Sequence, residues 1–220
     1  VKKLIIIGAG PLGIEVLETI NLINLLSGKQ VYDCIGFLDD NREKWNTSIL
    51  ERAVLGPIID ANNYNDAVFV FAVGSPNNYF DREGYLEKAG VDKSRMETII
   101  HPTAVISNLA VIENGCVIMP YTVIGPYAHL GCNVIVSPHV IINHGVNIGD
   151  FTIIAGQVSV AGDVSVGRSC YLGMGSQIKG GLTLADYCCV GMGSNVLGDV
   201  AERTIVAGNP SIFLKELKTL

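Results

Sequence analysis

The chain has 220 residues, 49% of them hydrophobic and only 16% charged, with 25 glycines and a formal net charge of −6. Globular chains carry about 25% charged residues, so a disordered protein is excluded, and without a Lys/Arg-rich run nucleic acid is not expected as a partner. The longest apolar runs, residues 4–7 and 68–73, fall far short of the roughly 20 residues that span a bilayer. No secretory signal is read, and the expectation is a cytoplasmic protein that does not insert into membranes.

Charge is unevenly spread: residues 1–99 hold 10 Lys/Arg and 14 Asp/Glu, whereas residues 100–198 hold six charged residues in all. This shift predicts two domains, 1–99 and 100–220. The first opens with a strand over 3–7, a Gly8-Ala-Gly-Pro-Leu-Gly13 turn and a helix over 14–26. A second strand over 31–38 ends at Asp39-Asp40, and a third over 67–73 ends at Gly74-Ser75. A helix over 80–89 stops at Gly90. Together these predict an α/β N-terminal domain, a small Rossmann-like β-α-β parallel sheet.

Gly8, Gly10 and Gly13 fit the dinucleotide fingerprint, and a helix N-terminus attracts phosphate whatever the rest of the ligand. Three strands make only half of a dinucleotide fold, so NAD is the second choice. Asp39 can accept from a ribose or base donor, although two adjacent Asp after a strand are also what a solvated turn looks like.

The second half repeats every six residues. From Ile100 to Val196, all 17 positions spaced by six are Ile, Leu or Val; these types make up 68 of the 220 residues, and chance would give such a run on the order of 10⁻⁹ of the time. Four residues after each anchor the chain prefers small or β-branched types, as at Ala104, Cys116, Thr122, Val140 and Ser176. Each hexapeptide reads as one flat strand and a corner, and three make an 18-residue coil of a parallel β-helix. Glycine and Asn/Asp are expected at the corners, where positive φ is needed. The six cysteines, Cys34, Cys116, Cys132, Cys170, Cys188 and Cys189, form no CxxC pair and read as small hydrophobes.

The glycine turn, the FLDD of residues 37–40, Val73-Gly-Ser75, Ile100-His-Pro-Thr-Ala104, Asn143-His144, Ile148-Gly-Asp150 and the closing Val206-Ala-Gly-Asn-Pro210 together resemble the sugar O-acyltransferase, sialic-acid O-acetyltransferase family. Within it, the similarity is to the bacterial nucleotide-aminosugar N-acetyltransferases of bacillosamine and perosamine type. The resemblance covers essentially the whole chain. It implies a left-handed β-helix, acetyl-CoA as co-substrate without a metal, a nucleotide-linked aminosugar as acceptor in surface glycan synthesis, and a homotrimer with its acyl-CoA groove between adjacent β-helices.

It also assigns roles. His144 is the general base, an imidazole suited to neutral pH, although a solvated surface histidine is the commoner fate. Gly162, one coil beyond His144, supplies the N–H for the oxyanion. Gly8, Gly10, Pro11, Leu12, Gly13, Asp39, Asp40 and Gly74 match the nucleotide-sugar contacts, and Ile153, Gly162, Met174 and Met192 match acetyl-CoA contacts. Two positions depart from the pattern: Gly145 stands where an acid usually follows the histidine, and Ile153 where a histidine meets the acyl donor. Asp163, one coil beyond Gly145, or a backbone carbonyl is expected to orient the His144 ring in place of the missing acid.

Three other readings remain. Sugar O-acetylation uses the same base, and a non-catalytic sugar-nucleotide-binding β-helix is compatible with Gly145. His139 and His144 have the spacing of a trimeric β-helical zinc enzyme, but Thr103 and Asn108 stand where the third ligand is needed, so no metal is expected.

Overall fold

The structure, a computed structural model, describes residues 1–217; the end of the expected C-terminal tail, 218–220, lies outside the described residues. The first half contains β1 (Lys2–Ile7), α1 (Pro11–Leu26), β2 (Tyr32–Leu38), β3 (Ser48–Ile49), β4 (Arg52–Gly56), β5 (Ala67–Phe71) and α2 (Arg82–Ala89). The strands lie in the order β3-β4-β2-β1-β5, parallel throughout except where β3 pairs with β4. Central β1 is covered on both faces, and Leu4 to Ile7 are all 0% exposed. An unbroken apolar run is what such a strand requires.

The elements differ from expectation in detail: β5 ends at Phe71 rather than 73, and α2 begins at Arg82 rather than 80. α1 begins at Pro11, three residues before the apolar spacing starts, with Gly10 as its N-cap; proline fits the first helical turn because its missing N–H has no partner there anyway. The β3–β4 hairpin has no signal in the sequence. Its turn residues are Leu50 and Glu51, both at positive φ (47° and 65°), where glycine or asparagine is the usual marker.

In the second half, two-residue strands recur every six residues and pair eighteen apart, as Val123 does with Val105 and Ile141. They stack into sheets of six, five and six, the last extended to eight strands by a terminal hairpin, and the sheets are the three faces of a left-handed parallel β-helix. From Ile118 to Val196 every anchor is buried, none more than 3% exposed. The residues four further on fill the rest of the column, with Cys116, Thr122, Val140, Thr152 and Ser176 at 0%. The first coil is different: Ile100 is 37% exposed and Ile106 and Ile112 are half-buried, because no coil lies beneath them. At the far end the chain adds an unforeseen antiparallel hairpin, Thr204–Gly208 with Ser211–Glu216.

The corner expectation needs correction. Positive φ recurs every six residues from Gly115 to Gly193, and Tyr121, Tyr127, His139, Phe151 and Gln157 occupy it as readily as glycine does. The glycines that follow the anchors serve another purpose: a Cβ on Gly149 or Gly173 would come 2.5 Å from the backbone of the next coil.

The two halves share a core. Outward-facing Val117, Ile135 and Ile153 of the eight-stranded sheet pack with Val16, Leu17 and Ile20 of α1. Arg82 is completely buried at this junction; its Nε donates to the Val73 carbonyl at 2.8 Å and its Nη1 to that of Phe151. All six cysteines are free; four are buried, whereas Cys132 and Cys189 are half-buried.

Candidate active site

The β-helix has three edges, and His144, Gly162, Met174 and Met192 lie on two of them. The first edge follows the eight-stranded sheet (137–139, 155–157, 173–175, 191–193), and the second follows the six-stranded sheet (143–145, 161–163, 179–181).

Between the N-terminal unit and the first edge lies a groove of about 610 Å³. Pro11, Leu12 and Glu15 of α1 and Gly74-Ser75 line one side; Ile135, Ile153, His139, Gly156, Gln157 and Met174 line the other. Ile153 is part of its floor, 6% exposed. Gly74 has no room for a side chain, since a Cβ there would lie 2.7 Å from Ile153 Cδ1. Met174 projects into the groove at 52% exposed, while Met192, one coil further along the same edge, is 74% exposed and not part of the lining. Glu15 is a carboxylate facing the groove; burial, reinforced by Glu18, raises its carboxyl above the ordinary value.

A smaller pocket of about 160 Å³ adjoins the glycine turn, lined by Gly8, Gly10, Pro11, Leu12, Asp39, Lys44, Gly74 and Asn78. The turn's glycines are unequal. A Cβ on Gly8 would lie 2.7 Å from the Ala72 carbonyl oxygen and one on Gly13 2.1 Å from that of Gly8, whereas Gly10 faces open space. No side chain caps α1, so its N-terminal N–H groups and dipole remain available to an anion.

Asp39 braces this turn. Its Oδ2 accepts from the Ala9 N–H at 2.9 Å and from Lys44 Nζ at 2.9 Å, and its Oδ1 accepts from the Asn41 N–H at 2.8 Å. Burial pushes the carboxyl up, but Lys44 and these N–H donors outweigh it and hold Asp39 below its ordinary value. Asp40 is not brought to the pocket: its Oδ1 accepts from the Ile58 N–H at 3.0 Å and its Oδ2 pairs with Lys88 at 2.7 Å. The sequence reading missed Lys44, which also donates to the Ala9 carbonyl at 3.0 Å. Its only sequence signal was a cation five residues after Asp39.

The second edge holds His144 and Gly162. A Cβ on Gly162 would lie 2.4 Å from His144 Nε2 and 2.6 Å from Cε1, so the imidazole sits on the glycine backbone, one coil apart. Gly162's carbonyl accepts from the Gly181 N–H at 3.0 Å. Its own N–H has no acceptor among the described residues. Beyond it, Gly180 and Gly198 continue the same column, and nothing lies within 4 Å of a Cβ at Gly198. A column without side chains therefore runs along the edge away from the imidazole.

His139 faces the groove and His144 the second edge, with the Ile141–Ile142 strand between them. Five residues of extended chain span at most roughly 17 Å. Within one chain the groove and the imidazole stand on neighbouring edges, and no group of three or more His, Cys, Asp or Glu is placed to hold a metal among the described residues. No helix among them is long and apolar enough to cross a membrane.

Residues 3–80 match the family model of the PglD N-terminal domain, and no curated protein sequence matches the chain. Solved structures resemble nearly all of it. The acetyltransferase domain of PglB from Neisseria gonorrhoeae is 26% identical with a TM-score of 0.82, covering 97% of this chain and 100% of that one. PerB from Caulobacter crescentus, in complex with CoA and GDP-perosamine, is 21% identical with a TM-score of 0.81, covering 98% of each chain. WeeI from Acinetobacter baumannii is 23% identical with a TM-score of 0.81, covering 97% and 100%. The family resemblance read from the glycine turn and the hexapeptide repeat is the one these comparisons return.

Proposed function

We propose that the protein is an acetyl-CoA-dependent N-acetyltransferase acting on a nucleotide-linked aminosugar. Residues 1–99 capture the nucleotide sugar and residues 100–220 transfer the acetyl group. The observation that carries this reading is the second edge: an imidazole lying on a glycine that has no room for a side chain and whose N–H is unclaimed. The full-length likeness to the acetyltransferase domain of PglB supports the reaction class, and PerB's complex with CoA and GDP-perosamine supports both substrates.

In the proposed step the sugar amine attacks the thioester carbon. His144 takes the amine proton as the C–N bond forms, and the Gly162 N–H receives the negative charge that develops on the carbonyl oxygen. The C–S bond then breaks, and the imidazolium returns the proton to the leaving thiolate. The pocket beside α1 suits the anionic diphosphate, with Lys44 adding a positive charge; Asp39 acts there mainly as the brace of the turn.

We further propose that the working unit is a homotrimer. The groove and the imidazole lie on different edges, and the sheet between them exposes an apolar stripe, Val105 at 64%, Val123 at 41% and Ile141 at 42%. A second copy packed there would set the first edge of one chain, with Met174 and Met192, beside His144 and Gly162 of the other. Synthesis of a bacterial surface glycan in the cytoplasm is the setting this activity fits.

The test is incubation with acetyl-CoA and UDP-, dTDP- and GDP-linked aminosugars, with thiol release as readout. His144→Ala should abolish transfer and leave sugar-nucleotide binding intact. Equal turnover of a sugar that has only hydroxyls would favour O-acetylation. Sugar binding with no thiol release from any acceptor would favour a non-catalytic binding protein.

A further inference from the structure

The roles given to His144 and Gly162 leave one neighbouring side chain unused. Gly145 and Asp163 occupy the same place on successive coils of the second edge, at φ +65° and +60°. A Cβ at residue 145 would lie 2.3 Å from Asp163 Oδ1, so the Asp163 carboxylate occupies the space that any side chain at 145 would need. Its Oδ2 lies 3.9 Å from His144 Nε2, and the Asp163 N–H donates to the His144 carbonyl at 3.0 Å. Among the described residues neither side chain is placed in another ion pair. The backbone conformation at 163 suits glycine at no steric cost and aspartate less well, so the fold alone does not call for an acid there.

We propose that Asp163 is the positioning residue of His144. It touches no substrate and acts through the imidazole, facing the positive charge the ring gains when it takes the acceptor's proton. A base steadied by a third group is the general form of such sites. The inference rests on the acetyl-transfer reading above. As the amine nitrogen bonds to the acetyl carbon and the C–S bond breaks, one proton passes from amine to His144 and on to the departing sulfur. Asp163 neither gains nor loses a proton; its charge lowers the energy of the intervening imidazolium. The empty position at Gly145 is what allows the acid to come from the next coil.

The test compares four variants with the parent: Asp163→Gly, Gly145→Asp, the two combined, and His144→Ala. The assay uses acetyl-CoA and GDP-perosamine, or the UDP- or dTDP-linked 4-amino sugar that turns over best. Asp163→Gly relieves the corner, so thermal stability should hold or rise, while kcat falls roughly five- to fiftyfold, the effect of one unit charge about 4 Å away in an open to partly closed site. KM for both substrates should stay put. Gly145→Asp alone should lower kcat, because the new side chain collides with Asp163 and repels it. In the Asp163→Gly background the same change should raise kcat, since the carboxylate returns beside the imidazole from the adjacent corner. The proposal is overturned if Asp163→Gly keeps kcat within twofold of the parent while His144→Ala is inactive, or if the double variant is no faster than Asp163→Gly. An active His144→Ala, or no turnover with any of the sugars, instead defeats the acetyl-transfer reading itself.

Discussion

The two halves of this chain are both built on parallel strands, but they constrain their residues differently. In the β-helix each residue touches the one eighteen positions away, so position alone says what lies next to what. In the N-terminal sheet the neighbours of β1 come from β2 and β5, more than 25 residues away in one case and more than 60 in the other, with no fixed interval. Glycines such as Gly149, Gly162 and Gly173 are therefore required by a neighbouring coil, whereas Gly8 and Gly13 of the N-terminal unit are required by individual contacts.

Gly162→Ala tests that contrast at its largest effect. The added carbon would lie 2.4 Å from His144 Nε2, too close for contact, and must push the ring aside. A displacement on the order of 1 Å costs about a hundredfold in rate, so kcat should fall at least that far. Residue 162 lies outside the left-handed region, and the melting temperature should be nearly unchanged. Gly84→Ala is the counterpart in the other half: this glycine is inside α2 and nothing lies within 4 Å of its Cβ. It should raise stability by about 0.5–1 kcal/mol. Equal responses of activity to the two changes would erase the distinction.

Core truncation asks whether the halves are energetically separate. Ile154 is 0% exposed in the middle of the column, and Ile154→Ala should cost about 3 kcal/mol. Ile106→Ala, in the open first coil, should cost about 1 kcal/mol, because water already reaches that side chain. Urea denaturation measures both. Trp45, the single tryptophan, reports from the N-terminal unit, and the core shared by α1 and the eight-stranded sheet predicts that Ile154→Ala lowers its fluorescence midpoint as well. A tryptophan transition that does not move would mean two independent units.

The same contrast governs how much could be read in advance. The anchor column, the closeness of His144 to Gly162 and the stacking of Asp163 on Gly145 all follow from an interval of eighteen. The hairpin at 48–56 was hidden because Leu50 and Glu51 take positive φ without a glycine to announce it. Asp40 looked equivalent to Asp39 in sequence, but alternate residues leaving a strand point to opposite sides; one braces the glycine turn and the other meets Lys88. Arg82 gave no signal at all, since a helix's first residue is ordinarily solvated and here it is covered by the β-helix. Periodic contacts are legible and incidental ones are not.

The smallest predicted effect concerns one such incidental contact. Asp39 links Ala9, Asn41 and Lys44, and Asp39→Asn keeps the shape but removes the charge. With the carboxylate only partly shielded from water, the loss at pH 7 should be about 1 kcal/mol or less. Its pH dependence gives the sign. The folded-state carboxyl is held below its ordinary value, so the unfolded chain binds the proton more readily, and the stabilisation is fully present above the unfolded value near pH ~4. It should fade as pH falls from there through the lower folded value. Parent and Asp39→Asn should therefore differ in denaturation midpoint at pH 7 and converge in acid. Curves that stay parallel down to about pH 2 would show that Lys44 and the two N–H donors do not favour the ionised carboxylate, and that the glycine turn is held by shape alone.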